Sequence, residues 1–186
     1  MKITIVYHSG YGHTAEQAKA VARGAGSVAG AEVKLISVAD GEMPWDDLNA
    51  SDAIIFGSPT YMGNVSAAFK KFMEDSSKIW MERKWVNKIS AGFTNSGSQN
   101  GDKLNSLMAL TIFAAQHGMI WVGLDLLAGN NNSKGSVEDL NRLGSFLGAM
   151  AQSNVDQGPD HGPLASDLKT AEHLGKRVAT LTARLK

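Results

Sequence analysis

Two runs near the start of the chain, Ile3-Thr4-Ile5-Val6-Tyr7 and Ala53-Ile54-Ile55-Phe56, are apolar on both faces. That is the pattern of central parallel strands covered by helices on each side. Val33-Lys34-Leu35-Ile36 alternates less cleanly and suits a strand nearer an edge, and Ile89 to Thr94 and Met119 to Val122 supply a fourth and a fifth. Between the strands the period changes to that of a helix. Ala15, Ala18, Val21, Ala22 and Ala25 make one stripe, ended by the Gly24 to Gly30 region. Ser66 is placed to cap a helix over Ala67 to Met73, with Ala68, Phe69, Phe72 and Met73 on one face. A further helix is predicted from about Lys103 to His117. The last carries Leu168, Ala171, Leu174, Gly175, Val178, Leu181 and Leu185. Asp167 stands near its start and Lys176, Arg177, Arg184 and Lys186 later, the order a helix dipole favours. Five strand–helix units predict an α/β fold, a doubly wound five-stranded parallel sheet with helices on both faces.

No composition shift divides the 186 residues, so one domain over 1–186 is expected. The exception to the regular alternation is Asp125 to Ser166, rich in glycine and asparagine, with one short helix expected around Val137 to Met150. It is too long for a simple connection and reads as a functional or oligomerisation insertion. Lysine plus arginine balances aspartate plus glutamate at 18 each, so no overall field draws nucleic acid or an anionic membrane surface. The absence of cysteine excludes disulfides, thiolate nucleophiles and cysteine-held clusters, and redox chemistry would need a bound cofactor. There is no apolar signal core and no run of membrane-spanning length, and the expectation is a soluble, cytoplasmic protein. His161, in Gly158-Pro159-Asp160-His161-Gly162-Pro163, reads as a surface-loop residue. No histidine–carboxylate cluster has metal spacing, and no metal is expected.

The candidate chemistry lies in three polar turns. Ser9-Gly10-Tyr11-Gly12-His13-Thr14 joins the first strand to the first helix, where orphan N–H groups, two hydroxyls and the positive helix end suit a phosphate. It contains no Gly-Lys-Ser/Thr and no G-x-G-x-x-G, which leaves a monophosphate site of amides and hydroxyls. Gly57 to Asn64 follows the third strand, and Asn95 to Asn100 the fourth. All three project from the carboxyl ends of parallel strands, where such sheets bind ligands. One small molecule can therefore touch all three, its phosphate in the first and a flat ring between the others. Thr60, Tyr61, Met62 and Gly63 offer amides and an aromatic surface, and Asn95, Ser96 and Gly97 offer further amides.

These turns, together with Ile79-Trp80, the run Thr94-Asn95-Ser96-Gly97-Ser98-Gln99-Asn100-Gly101 and His117-Gly118-Met119, resemble the WrbA-type FMN-dependent NAD(P)H:quinone oxidoreductases of the flavodoxin superfamily. The resemblance covers most of the chain. It implies a flavodoxin-like strand order 2-1-3-4-5, FMN as cofactor, NADH or NADPH as electron donor and a quinone-like acceptor. Carried over residue by residue, Ser9, Gly10, Tyr11, Gly12, His13 and Thr14 hold the ribityl phosphate. Pro59, Thr60, Tyr61, Met62, Gly63 and Asn64, with Thr94, Asn95, Ser96, Gly97, Ser98, Gln99 and Asn100, hold the isoalloxazine. His117 lines the redox pocket, Trp80 walls the substrate site, and Tyr11 lies near the nicotinamide. A homo-oligomer, dimer or tetramer, is implied, with a neighbouring subunit as a source of part of the pocket. Three features depart from the family: only Ala39 to Ser51 separates the second and third strands, Tyr61-Met62 replaces a common Arg-Phe pair, and Asn100-Gly101-Asp102 replaces a more glycine-rich run.

Two functional classes follow. One is an enzyme moving two electrons from NAD(P)H to quinones by ping-pong turnover. The other is a flavodoxin-type one-electron carrier docking on proteins. Carriers of that kind display a strongly acidic face, and here no acidic run exceeds Asp46-Asp47, which favours the enzyme. Reductases of azo dyes, chromate or free flavin, and a flavin-binding regulatory module, stand as further readings on the same fold. For single residues the structural alternatives are a core anchor for Trp80 and Trp85, and for His117 a charge complementing the end of its helix.

Overall fold

The computed structural model describes residues 1–185, and Lys186, expected at the basic end of the last helix, lies outside the described residues. Strand β1 (Lys2–Tyr7) is central, flanked by β2 (Glu32–Ser37) and β3 (Ala53–Tyr61). A two-residue strand, β4 (Asn64–Val65), folds back antiparallel on β3. With β5 (Ile89–Ser96) and β6 (Ile120–Trp121) the parallel path runs β2-β1-β3-β5-β6. Counting its members in chain order, this is the expected 2-1-3-4-5 arrangement.

Alternation along the strands builds two cores. Ile3, Ile5, Ala53, Ile55, Ala91 and Phe93 face α1 (His13–Gly26) and α6 (Ala165–Arg184), packing on Ala18, Val21, Leu174 and Val178. The two helices cross with their backbones in contact: a Cβ on Gly24 would lie 1.8 Å from Glu172 O, and one on Gly175 2.0 Å from Val21 O. Only glycine fits at either point. Val6, Ile54 and Phe56 face the other way, toward α2 (Trp45–Ala50), α3 (Ala67–Asp75), α4 (Ser77–Met81) and α5 (Lys103–Gln116). There Phe56, Phe69, Phe72, Trp85 and Phe113 form one aromatic cluster with ring centroids 5.3–6.5 Å apart, a spacing typical of attractive ring pairs. Ser66 caps α3 as expected, its side chain accepting from Phe69 N.

The structure corrects the sequence reading in three places. First, Gly57 to Tyr61 is strand rather than turn, because β3 keeps pairing with β5 as far as Pro59–Asn95 and then forms a hairpin with β4. Second, no helix occupies 137–150. Leu124 N donates to Phe146 O (2.8 Å), and 149–152 forms β7 (Ala149–Gln152), which pairs parallel with Phe93 to Ser96. The last strand of the sheet is thus split: β6 pairs the start of β5, β7 its end, and residues 122–148 loop out between them. Third, α2 and α4, of 6 and 5 residues, are too short to declare a period.

The loop is held by side chains in place of a backbone ladder. Buried Asn141, at φ +50°, donates through Nδ2 to Ser145 O (2.9 Å) and Leu126 O (3.2 Å), and its Oδ1 accepts from Ser145 N (2.8 Å). Beside it, Arg142 makes a bidentate pair with Asp167 at 2.8 and 2.7 Å, both side chains almost wholly buried. Side-chain bonds of this kind compete with helix formation, which is why the apolar spacing from Val137 misleads. Among the described residues no helix is long and apolar enough to cross a membrane.

Candidate functional site

The three polar segments converge on one cavity of about 510 Å³ at the carboxyl edge of β1, β3 and β5. Ser9, Tyr11, His13 and Thr14 line it from the first turn, Pro59, Thr60 and Tyr61 from the end of β3, and Asn95, Ser96 and Gly97 from the end of β5. A fourth wall comes from Ser153, Val155, Gln157 and Gly158, just beyond β7. None of these lining residues is Lys, Arg, Asp or Glu.

The first turn is an anion cradle. Gly12 adopts φ +90°, a conformation costly for other residues, and α1 starts behind it without a side-chain cap. Ser9 Oγ accepts from Ala15 N (3.1 Å). Among the described residues nothing accepts from the N–H groups of Tyr11, Gly12, His13 or Thr14. Four unused donors at the positive end of a 14-residue helix suit a phosphate without any basic side chain. The fourth wall reaches across to this turn. His13 Nε2 donates to Gln157 O (3.0 Å), and a Cβ on Gly12 would lie 2.7 Å from Pro159 Cγ.

At the other end of the cavity the walls suit a flat ring. Tyr11 and Tyr61 meet edge to face with centroids 6.3 Å apart, Tyr11 largely exposed. Burial raises the Tyr61 phenol above its ordinary value, opposed by a hydrogen bond from the Gly10 backbone. A Cβ on Gly10 would lie 2.5 Å from the Tyr61 hydroxyl, so a side chain there would push the tyrosine ring aside. The Thr60 hydroxyl is engaged with Thr94 Oγ1 and Ser106 Oγ, each at 2.7 Å. Ser153 Oγ donates to Asn95 Oδ1 (3.0 Å), and Gln152 Nε2 to Gly97 O (2.9 Å). Under the same turn, Lys103 Nζ donates to Ser96 Oγ (2.7 Å) and Ser98 O (2.6 Å).

Not every expected residue arrives here. His117 follows the C-terminus of α5, whose first residue, Lys103, bonds the cavity-lining Ser96, so about 20 Å of helix separates the two ends. It is 4 % exposed, packed against Trp85 with ring centroids 4.4 Å apart and planes tilted by 34°, and burial pushes it down to about 4. It packs in the core and is not among the residues lining this chain's cavity. Trp80, on α4, is about half exposed and likewise forms no part of this chain's cavity. Met62 is fully exposed beyond the rim, and Gly63 O accepts from Asn105 Nδ2 (2.7 Å). Asn64 is exposed on β4, and Thr94 is buried beneath Thr60. Gln99 and Asn100 open instead onto a separate groove between α5 and the 142–147 loop, and Ser98 contributes its carbonyl to Lys103. The fourth wall and Lys103 were missed. The expected helix over 137–150 hid β7, and a lysine at a helix start gives no sequence signal of burial.

Fold and cavity together define a flavodoxin-like α/β protein with its ligand cleft at the strand-order reversal. Family comparison agrees: the model for NADPH-dependent FMN reductase matches residues 1–133, and the chain belongs to that family. Flavodoxin FldP of Pseudomonas aeruginosa is 43% identical over 99% of this chain and 98% of its own length. An NAD(P)H dehydrogenase (quinone) of Geotalea uraniireducens is 32% identical over 100% and 99%. The crystal structure of a flavodoxin, WrbA-like protein from Agrobacterium tumefaciens superposes with a TM-score of 0.77 at 41% identity, covering 100% of this chain and 99% of that one.

Proposed function

We propose that this chain is an FMN-dependent oxidoreductase that passes two electrons from NADH or NADPH to quinones, with donor and acceptor using one slot in turn. The observation that carries the reading is a single uncharged cavity joining an amide-and-hydroxyl cradle to an aromatic-rimmed slot. The residues present fit FMN. Ser9, Thr14 and the free N–H groups from Tyr11 to Thr14 would hold its phosphate. Thr60, Tyr61, Asn95, Ser96 and Gly97 would border its ring. When bound, FMN supplies the hydride chemistry itself.

The chain's part is position and exclusion of water. Tyr11 and Tyr61 offer flat apolar surface that orients a planar partner, chiefly a proximity effect. Val155, almost fully exposed at the rim, extends that apolar edge. No lining residue is a carboxylate or an amine, so proton delivery falls to water, to hydroxyl and phenol groups or to the His13 imidazole rather than to His117. Trp80 belongs to the site only in a homo-oligomer, reaching a neighbouring copy's slot. Names of full-length relatives, NAD(P)H dehydrogenase (quinone), support the enzymatic reading.

Initial rates of NADH and NADPH oxidation measured against benzoquinone test the mechanism. One shared slot gives parallel double-reciprocal lines, and intersecting lines contradict it. A second reading, a one-electron carrier, is favoured by the 43% identical relative named a flavodoxin. A carrier would bind FMN yet leave nicotinamide oxidation at background.

A further inference from the structure

Lys103 is fully buried, while every other described lysine is exposed or half-buried. Its ammonium sits under the turn that walls the ring end of the cavity, bonded to Ser96 Oγ and Ser98 O and to no carboxylate. The acid nearest in effect, Asp167, is committed elsewhere: Arg142 binds it bidentately, and its Oδ2 also accepts from Gln152 N (3.0 Å). The buried group therefore holds two cations, Lys103 and Arg142, against one anion. An excess buried charge is costly, and desolvation pushes Lys103 down to about 8. Ser96 Oγ already donates to Ser98 O (3.1 Å), so the turn does not need an ammonium merely to satisfy that carbonyl. A fold that retains a charge at this cost, one residue layer from the cavity, gains something from the charge itself.

We propose that Lys103 is a positioning residue that fixes the Ser96–Ser98 turn and supplies an uncompensated positive charge favouring the reduced cofactor over the oxidised one. The inference rests on the FMN reading of the cavity. Hydride transfer adds two electrons and one proton to the flavin while NAD(P)H leaves as NAD(P)⁺, so the flavin gains one negative charge until a second proton reaches it. A nearby cation without its own counter-ion stabilises that added charge and does little for the neutral oxidised ring.

The test compares wild type with Lys103→Met, Lys103→Gln and Lys103→Arg, using FMN itself. Affinities for oxidised and reduced FMN, the two-electron midpoint potential and apoprotein unfolding are measured. For the neutral Lys103 variants, oxidised FMN is expected to bind within about threefold of wild type and reduced FMN about tenfold more weakly. A tenfold difference lowers the midpoint potential by about 30 mV. Lys103→Arg, which keeps a positive charge under the turn, should leave the potential near wild type. The gap between wild type and Lys103→Met should narrow above about pH 8, where the ammonium loses its proton. Asp167 and Arg142, paired with each other, are the charged groups that act on it, and both persist in the variants. Apoprotein Lys103→Met should unfold no more easily than wild type, since a costly charge has gone. Equal potentials in wild type and a folded neutral variant that binds FMN overturn this inference and leave the cofactor reading intact. Wild type that binds no FMN overturns both.

Discussion

His117 Nε2 donates to Ser76 Oγ across 2.9 Å, because the Ser76 hydroxyl proton is already given to Met73 O at 2.7 Å. That fixes the neutral tautomer with Nδ1 bare, and Nδ1 has no partner among the described residues. Burial pushes the ring down to about 4 from an ordinary 6.5. The unfolded chain takes up this proton near pH 6.5 and the folded one only near pH 4. Stability from the neutral ring is therefore complete above pH 6.5 and is lost as the pH falls toward 4, by about 3 kcal/mol. His117→Phe should flatten the acid limb of a stability–pH profile while leaving quinone turnover unchanged. A loss of turnover with FMN binding intact would return His117 to the site.

The double variant Ser9→Ala, Thr14→Ala should weaken FMN by about 1.5–3 kcal/mol, the value of two charge-assisted bonds. Titration of apoprotein with FMN reads this directly. Riboflavin, which lacks the phosphate, should bind both proteins alike. Unchanged FMN affinity would place the phosphate elsewhere.

Asn141→Ala removes four side-chain bonds inside the 122–148 loop and leaves an alanine at φ +50°. The expected cost is about 3 kcal/mol, seen as a lower urea midpoint. A change below about 1 kcal/mol would mean that the Arg142–Asp167 pair anchors the loop by itself.

Trp80→Ala should leave FMN affinity and stability nearly unchanged, because the ring is about half exposed and away from this chain's cavity. Turnover should fall only where the protein assembles. Mixing Trp80→Ala with a Ser9→Ala, Thr14→Ala subunit should restore activity to the mixed oligomer. No restoration, with both parents assembled, would argue against a shared site.

The order of the sheet and the three segments that meet at its carboxyl edge were legible because each rests on a local pattern: continuous apolar strands, then short polar segments at their ends, although Gly57 to Tyr61 proved to be strand. Ser66 could be named as a cap for the same reason. Residues whose roles depend on distant partners were not legible. His117 precedes a strand of the same sheet, yet the length of α5 carries it to the opposite edge. Lys103 is two residues from Gly101 and its charge is hidden by tertiary packing alone. β7 was obscured because its Ala-Met-Ala-Gln pattern has a single large apolar residue, and Asn141 organises the chain before it through side-chain bonds.

The most direct measurement is anaerobic mixing of the FMN-loaded protein with NADH or NADPH, followed by benzoquinone, while the visible flavin absorbance is recorded. The band should bleach with one equivalent of nicotinamide and return with one equivalent of quinone. A band that stays unchanged with both nicotinamides would contradict this and leave a protein that holds FMN without taking hydride from either.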